Sequence, residues 1–130
     1  MDGGLRALFR KHLPEFHWVA IESWMTGSGI PDVNFCCSGV EGWIEFKKTG
    51  AIAVRFKPGQ IAWHEQRHRA RGRTFIAVRR LAKGVDDLFL YPGEQARLVD
   101  DLGLEALPLL HCQGGPARWR WNRLKTLLLI

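Results

Sequence analysis

The fold of this chain is most constrained by two runs of strand-forming residues with a short glycine-containing segment between them. The runs are PDVNFCC at 31–37 and WIEFKK at 43–48, and SGVEG at 38–42 has the composition of a hairpin turn. Alternate residues of a strand point to opposite faces of a sheet. One face of the second run should therefore carry Trp43, Glu45 and Lys47.

Other segments of the chain have helical or strand-like periodicity around this hairpin. An amphipathic helix is expected over 4–13, a strand over 16–24, a helix that begins at Pro58 and runs to about residue 70, and a buried strand over 74–80. The order α-β-β-β-α-β predicts an α/β fold with a mixed central sheet flanked by helices.

The 130 residues are enough for one domain with a substantial core. We expect that core to extend over about 4–92. The rest, about 93–130, is expected to be a helical C-terminal extension with a short helix over 93–103 and a final helix over 120–130, after a short strand at 87–92.

The charge balance favours a polyanionic partner. The chain has 19 Lys and Arg against 13 Asp and Glu, a formal net charge of +6. Basic residues cluster at 67–73, 79–80 and 118–125, although a merely solvated basic surface explains the charge equally well. For the last cluster an amphipathic helix, with Trp and Leu inward, is the favoured interpretation. The predicted nucleic-acid contacts are Ser28, Arg67, Arg69, Arg71 and Arg73.

The sequence predicts a cytoplasmic protein of a bacterial or phage-infected cell. It contains no long apolar run, and the start MDGGLRALFRKH is not a signal peptide. Three cysteines, two of them adjacent, do not form a disulfide framework or a zinc motif. His64 and His68 are spaced i, i+4, but they do not match a zinc-hydrolase motif and are expected to be surface or phosphate-contacting residues.

Asp32, Glu45 and Lys47 form the constellation with the clearest chemical meaning. Asp32 opens one strand of the hairpin and Glu45 lies in the middle of its partner, so their carboxylates can converge on one divalent cation. Lys47 projects from the same face as Glu45 and can stabilise negative charge on a phosphate. The structural alternative is a salt bridge between strands beside a turn-starting aspartate.

The segment SGIPDVNFCCSGVEGWIEFKK, followed by PGQIAW, resembles the PD-(D/E)xK nuclease superfamily. Pro31-Asp32 and Glu45-Phe46-Lys47 match its two half-motifs, and Pro58-Gly59-Gln60 is similar to the helix start of the VRR-NUC branch, which is related to Holliday-junction resolvases. The resemblance covers about residues 15–80. It implies a single-domain restriction-endonuclease-like fold and a Mg²⁺ or Mn²⁺ cofactor.

The resemblance also implies roles for individual residues. Asp32, Glu45 and the Phe46 carbonyl would bind the metal, Lys47 would orient or deprotonate the attacking water, and Gln60 would contact the nucleic-acid backbone or the water. Many relatives use an additional acid on the first helix, which has none here. Glu22 is preferred for that role over Glu15, because its strand should run beside Asp32.

The function expected from these residues is hydrolysis of phosphodiester bonds in DNA, with branched or otherwise structured DNA as the substrate. Two alternatives remain: a nuclease fold that binds nucleic acid without cutting it, and a nuclease directed at RNA. A homodimer is possible, and the apolar end LKTLLLI could form its interface or could close the core.

Overall fold

A six-stranded mixed β-sheet forms the centre of the computed structural model, which describes residues 2–21 and 29–130. Its strands are β1 (His17–Ala20), β2 (Val33–Cys37), β3 (Val40–Thr49), β4 (Thr74–Ala82), β5 (Val85–Pro92) and β6 (Leu110–Cys112). The helices are α1 (Leu5–His12), α2 (Gln60–Arg69), α3 (Ala96–Leu102) and α4 (Trp121–Leu129). The strands lie in chain order across the sheet, and only the β3–β4 pair is parallel.

Strand β4 shows why the sheet carries helices on both faces. Residues 74–78 are all buried, as in a strand that is covered on each side. Successive side chains of a strand alternate between faces, and Phe75 and Ala77 accordingly join the apolar core that contains α1 and α4. Ile76 and Val78 join a second core on the opposite face, with residues of α3. The predicted α/β architecture with a mixed central sheet is confirmed.

The hairpin between β2 and β3 is tighter than the sequence indicated. Its turn contains only Ser38 and Gly39, which have φ values of 52° and 79°, so both adopt the left-handed conformation of a two-residue hairpin turn. The predicted turn at 38–42 is therefore too long, and β3 begins at Val40. Because Val40 and Glu41 pair with the end of β2, the ladder continues directly to the turn.

Other element boundaries also differ from the prediction by a few residues. Helix α2 begins at Gln60 rather than at Pro58. Gly59 has a φ of 87°, which is outside the right-handed helical region, and is therefore the N-cap residue rather than part of the helix. Strand β2 begins at Val33, two residues after its predicted start, and β1 is described only to Ala20. The end of the predicted first strand, residues 22–24, lies outside the described residues.

The C-terminal part of the chain is not purely helical, which corrects the predicted extension over 93–130. Strand β6 pairs antiparallel with β5 and completes the sheet, and Cys112 on this strand is buried. Helix α4 packs Leu124 and Leu128 into the core shared with α1, so the apolar end closes the core. Within residues 2–21 and 29–130, no helix has the length and apolar composition needed to cross a membrane.

Candidate active site

The β2–β3 pair brings Asp32 and Glu45 together at the N-terminal end of β2. Val33 pairs with Ile44, so Asp32, one residue earlier, reaches the level of Glu45 on β3. The Asp32 carboxylate accepts a hydrogen bond from the backbone N–H of Phe46 at 2.7 Å, which fixes it against β3. Glu45 is only 2% exposed. The convergence expected of the two carboxylates is therefore present in the structure.

The surroundings of Glu45 disfavour its ionised form. Burial, and then the negative charge of Asp32, raise the pKa of Glu45 from 4.5 to about 8 against the opposing effect of Lys47. Burial also lowers the pKa of Lys47, although Glu45 and Asp32 oppose that change. A carboxylate with so high a pKa takes up a proton near neutral pH unless another positive charge is bound beside it.

Gln60 connects the carboxylate to the lysine. Its side-chain N–H donates to Glu45 Oε2 at 2.8 Å, and its Oε1 accepts hydrogen bonds from Lys47 Nζ and from the backbone N–H of Lys57, the latter at 2.7 Å. Two donors face Oε1 and one acceptor faces the amide nitrogen, so these contacts determine the orientation of the amide group. Gln60 thus holds Glu45 and Lys47 from the first turn of α2.

A close backbone contact brings the start of α2 to the carboxylates. Gly29 has a φ of 92°, and a Cβ at this position would lie 2.3 Å from the carbonyl oxygen of Gly59. Only glycine permits that approach without a displacement of one segment. The segment that leads to Asp32 therefore lies directly against the N-terminus of the helix that carries Gln60.

The Phe46 backbone offers a further oxygen at the same place. The N–H and the carbonyl group of a strand residue point to the same edge of the strand. Because the Phe46 N–H points to Asp32, its carbonyl group is directed to the edge that β2 has left open. The aromatic ring points to the other face, where its centroid lies 5.0 Å from that of Phe9.

His64 lies in the core, contrary to its predicted place on the surface. Its ring is fully buried behind Glu45, with Nε2 at 4.0 Å from Glu45 Oε1 and Nδ1 at 2.9 Å from Thr74 Oγ1. Burial, and then Lys47, lower the pKa of His64 to about 4, so the ring is neutral near physiological pH. His68, in contrast, is half-exposed and lies 3.5 Å from Glu94. The two histidines point to different environments and do not form a metal-binding pair.

Five of the predicted site residues, Phe46 among them, line a cavity of about 960 Å³ with a basic rim. Asp32, Glu45, Lys47 and Gln60 line one part of the cavity. The cations around them are supplied by α1, by β3 and by the segment between β3 and α2: Arg6, Arg10, Lys48, Arg55 and Lys57. None of these five was among the predicted contacts, although the i, i+4 spacing of Arg6 and Arg10 on a helix whose other face is apolar indicated a shared surface.

The predicted nucleic-acid contacts in the 67–73 cluster lie elsewhere on the described surface. Arg67 packs over the rings of Trp43 and Trp63, at 5.3 and 4.6 Å from their centroids. Arg73 donates to the carbonyl oxygens of residues 41, 128 and 130. Arg69 and Arg71 are exposed, and none of the four is among the residues that line the cavity. Their contact with nucleic acid stays a prediction.

Two other predicted residues, Glu22 and Ser28, lie outside the described residues. The alternative acid, Glu15, lies 3.9 Å from Lys125 on α4, and it is not among the residues that line the cavity. Within residues 2–21 and 29–130, no cluster of three or more His, Cys, Asp or Glu side chains is arranged to hold a metal ion. Among the described residues, the candidate metal ligands are therefore two carboxylates and one backbone carbonyl group.

These oxygen atoms suit a hard divalent cation such as Mg²⁺ or Mn²⁺, which binds carboxylates, carbonyl groups and water. Glu45 Oε1 is buried and has no hydrogen-bond partner among the described residues, which is costly unless a cation or a donor satisfies it. The donor set therefore fits such a cation. The chain matches no protein-family model, and no curated protein matches it.

Proposed function

We propose that this chain is a divalent-metal-dependent nuclease of the PD-(D/E)xK superfamily, similar to its VRR-NUC branch, with a restriction-endonuclease-like fold. The observation that carries the proposal is the hydrogen-bonded group of Glu45, Gln60 and Lys47 with Asp32 beside it in a cavity with a basic rim. A salt bridge between strands would need neither the convergent carboxylates nor the glutamine. The raised pKa of Glu45 further supports a site that is completed by a cation.

Asp32, Glu45 and the Phe46 carbonyl group would hold the metal. When bound, Mg²⁺ or Mn²⁺ supplies Lewis-acid polarisation of the phosphate. The protein itself contributes rigidity: the Phe46 N–H holds Asp32, and the Gln60 amide holds one oxygen of Glu45. A site held in this way needs little rearrangement as charge develops on the substrate.

Lys47 places a positive charge beside the scissile phosphate. The net reaction adds water across a phosphodiester: the water oxygen bonds to phosphorus, the ester P–O bond breaks, and its electron pair leaves with the departing oxygen. That oxygen takes up a proton, and the attacking water releases one. Lys47, held by Gln60 and lying 4.7 Å from the centre of the Phe56 ring, stabilises the negative charge that builds on the phosphate.

The rim selects nucleic acid through its backbone. Arginine and lysine side chains at the mouth of the cavity bind phosphate oxygens, which carry no sequence information. We therefore propose recognition of shape and backbone rather than base sequence. Phosphate contacts do not distinguish DNA from RNA, and DNA is proposed as the substrate on the resemblance alone. The preference for branched or otherwise structured DNA rests on the resemblance to the VRR-NUC branch.

The test is an assay of the purified chain, with Mg²⁺ or Mn²⁺ in excess and without a cation, against end-labelled duplex, single-stranded, flap and four-way-junction DNA. A matched RNA flap serves as the control for the sugar. The proposal predicts cleavage that depends on the cation and is strongest on a branched DNA. Cleavage of the RNA alone would replace DNA by RNA as the substrate. Binding of nucleic acid without cleavage of any substrate would overturn the nuclease and favour a binding module.

A further inference from the structure

A buried histidine lies behind the proposed metal site and has no part in the reaction described above. His64 Nε2 faces Glu45 Oε1 at 4.0 Å, and neither atom has a hydrogen-bond partner among the described residues. Both atoms are buried, and unpaired polar atoms in such surroundings are costly. Because these two unpaired atoms face each other, a hydrogen bond between them would satisfy both.

The contact on the other side of the ring bears on which ring nitrogen of His64 carries the proton. Thr74 Oγ1 lies 2.9 Å from His64 Nδ1, and a hydroxyl group can donate a hydrogen bond to a ring nitrogen that carries no proton. The single proton of the neutral ring is then on Nε2, the nitrogen that faces the carboxylate. When the Thr74 hydroxyl group is the donor in this contact, the neutral ring is the tautomer that can donate to Glu45.

The backbone is shaped around this pair. A Cβ added at Gly93 would lie 1.6 Å from Thr74 Oγ1 and 2.7 Å from His64 Nδ1. Glycine at 93 leaves the space in which the hydroxyl group meets the ring. Simple filling of the core would not require this combination, since an apolar side chain at 64 could occupy the same volume without a polar partner.

We propose that His64 is a positioning residue for Glu45, and that it holds Oε1 by an Nε2–H hydrogen bond, direct or through one water, while Gln60 holds Oε2. Each carboxylate oxygen has two lone pairs, so both remain able to bind a cation. The two donors approach Glu45 from different sides and fix the plane of its carboxylate. Residues that hold metal ligands in this way typically change metal affinity by about 10- to 100-fold when they are replaced. The inference rests on the proposed function.

Mn²⁺ affinity, measured by isothermal titration calorimetry on the metal-free protein, tests the role of His64 without reference to cleavage. Gln at position 64 places its amide N–H near the position of Nε2, whereas Asn reaches only the position of Nδ1. His64→Asn should weaken Mn²⁺ binding by about 10-fold or more, and His64→Gln should restore most of the loss. A merely structural role would give both variants the same affinity, and that result would overturn the inference.

A second pair of variants keeps the test decisive if His64→Asn does not fold. Thr74→Val removes the hydroxyl group at nearly constant volume, whereas Thr74→Ser keeps it. Thr74→Val should weaken Mn²⁺ binding several-fold, and Thr74→Ser should bind like the wild type; equal affinities would overturn the inference. If the wild type does not bind Mn²⁺ at all, the proposed function itself fails. If the wild type binds but the pairs do not separate, only the role of His64 fails.

Discussion

Replacement of Glu45 by Gln should stabilise the metal-free protein, and the gain should grow as the pH rises. A folded-state pKa of about 8 against 4.5 for the free side chain means that the folded protein holds this proton more tightly than the unfolded chain. The stability due to Glu45 is therefore fully present below about pH 4.5 and is lost as the pH rises towards 8. Gln imitates the protonated acid at every pH, so it avoids the loss.

The size of the effect follows from the two pKa values. At about 1.4 kcal/mol per pH unit, the interval from 4.5 to about 8 corresponds to roughly 5 kcal/mol, of which about 3 kcal/mol is lost by pH 7. Glu45 is almost fully buried, so solvent screening removes little of this energy. For a chain of 130 residues, a relative gain of about 4 kcal/mol between pH 5 and pH 9 corresponds to a difference in melting temperature of roughly 10–20 °C.

The assay is thermal unfolding of the wild type and of Glu45→Gln in EDTA at several values between pH 5 and pH 9. Groups that titrate in both proteins, His64 among them, cancel to first order in the difference between the two curves. Glu41→Gln, an exposed position on the same strand, is the matched control and should follow the wild type. Addition of Mg²⁺ should stabilise the wild type and not Glu45→Gln. Parallel pH curves for the wild type and Glu45→Gln would refute the reasoning.

Two further predictions concern the rim and the approach of the backbone segments. Arg10→Ala and Arg55→Ala, each made in a catalytically inactive variant, should lower the slope of log affinity against log salt by about 0.9. Arg123→Ala, a residue outside the cavity lining, should leave the slope unchanged. Equal slopes for all three variants, measured by fluorescence anisotropy, would exclude the rim as the phosphate site. Gly29→Ala should cost more unfolding free energy in urea than Gly39→Ala, because both have positive φ values but only Gly29 would clash with backbone. The Gly39 variant should lose about 1–2 kcal/mol; an equal loss in both would contradict the close contact.

The hairpin and the strand face that carries the site could be predicted because both depend on local patterns. Alternation along residues 43–48 correctly placed Glu45 and Lys47 on one face, and the contiguous apolar run of β4 correctly indicated a strand covered on both sides. The exact turn could not be predicted from composition, since Ser38 adopts a positive φ that is uncommon for a residue other than glycine.

The remaining features depend on contacts between distant parts of the chain. Strand β6 has only three residues and begins two residues after Pro108. It forms because it can pair with the edge of β5. The burial of His64 depends on Thr74 and Glu45, ten and nineteen positions away in the sequence, and helical periodicity contains no information about them. Arg6 and Arg10 reach the cavity only because α1 packs on the same sheet as Glu45.

The central claim, that Asp32, Glu45 and Lys47 hydrolyse phosphodiester bonds, is tested most directly by the single-turnover rate of cleavage of the best DNA substrate in Mg²⁺. Asp32→Asn and Lys47→Ala should each slow cleavage by about 100-fold or more, because they remove a cation ligand and a charge that stabilises the transition state. Lys83→Ala, an exposed lysine in the turn between β4 and β5, should cleave at the wild-type rate. Folded Asp32→Asn and Lys47→Ala variants that cleave as fast as the wild type would contradict the account.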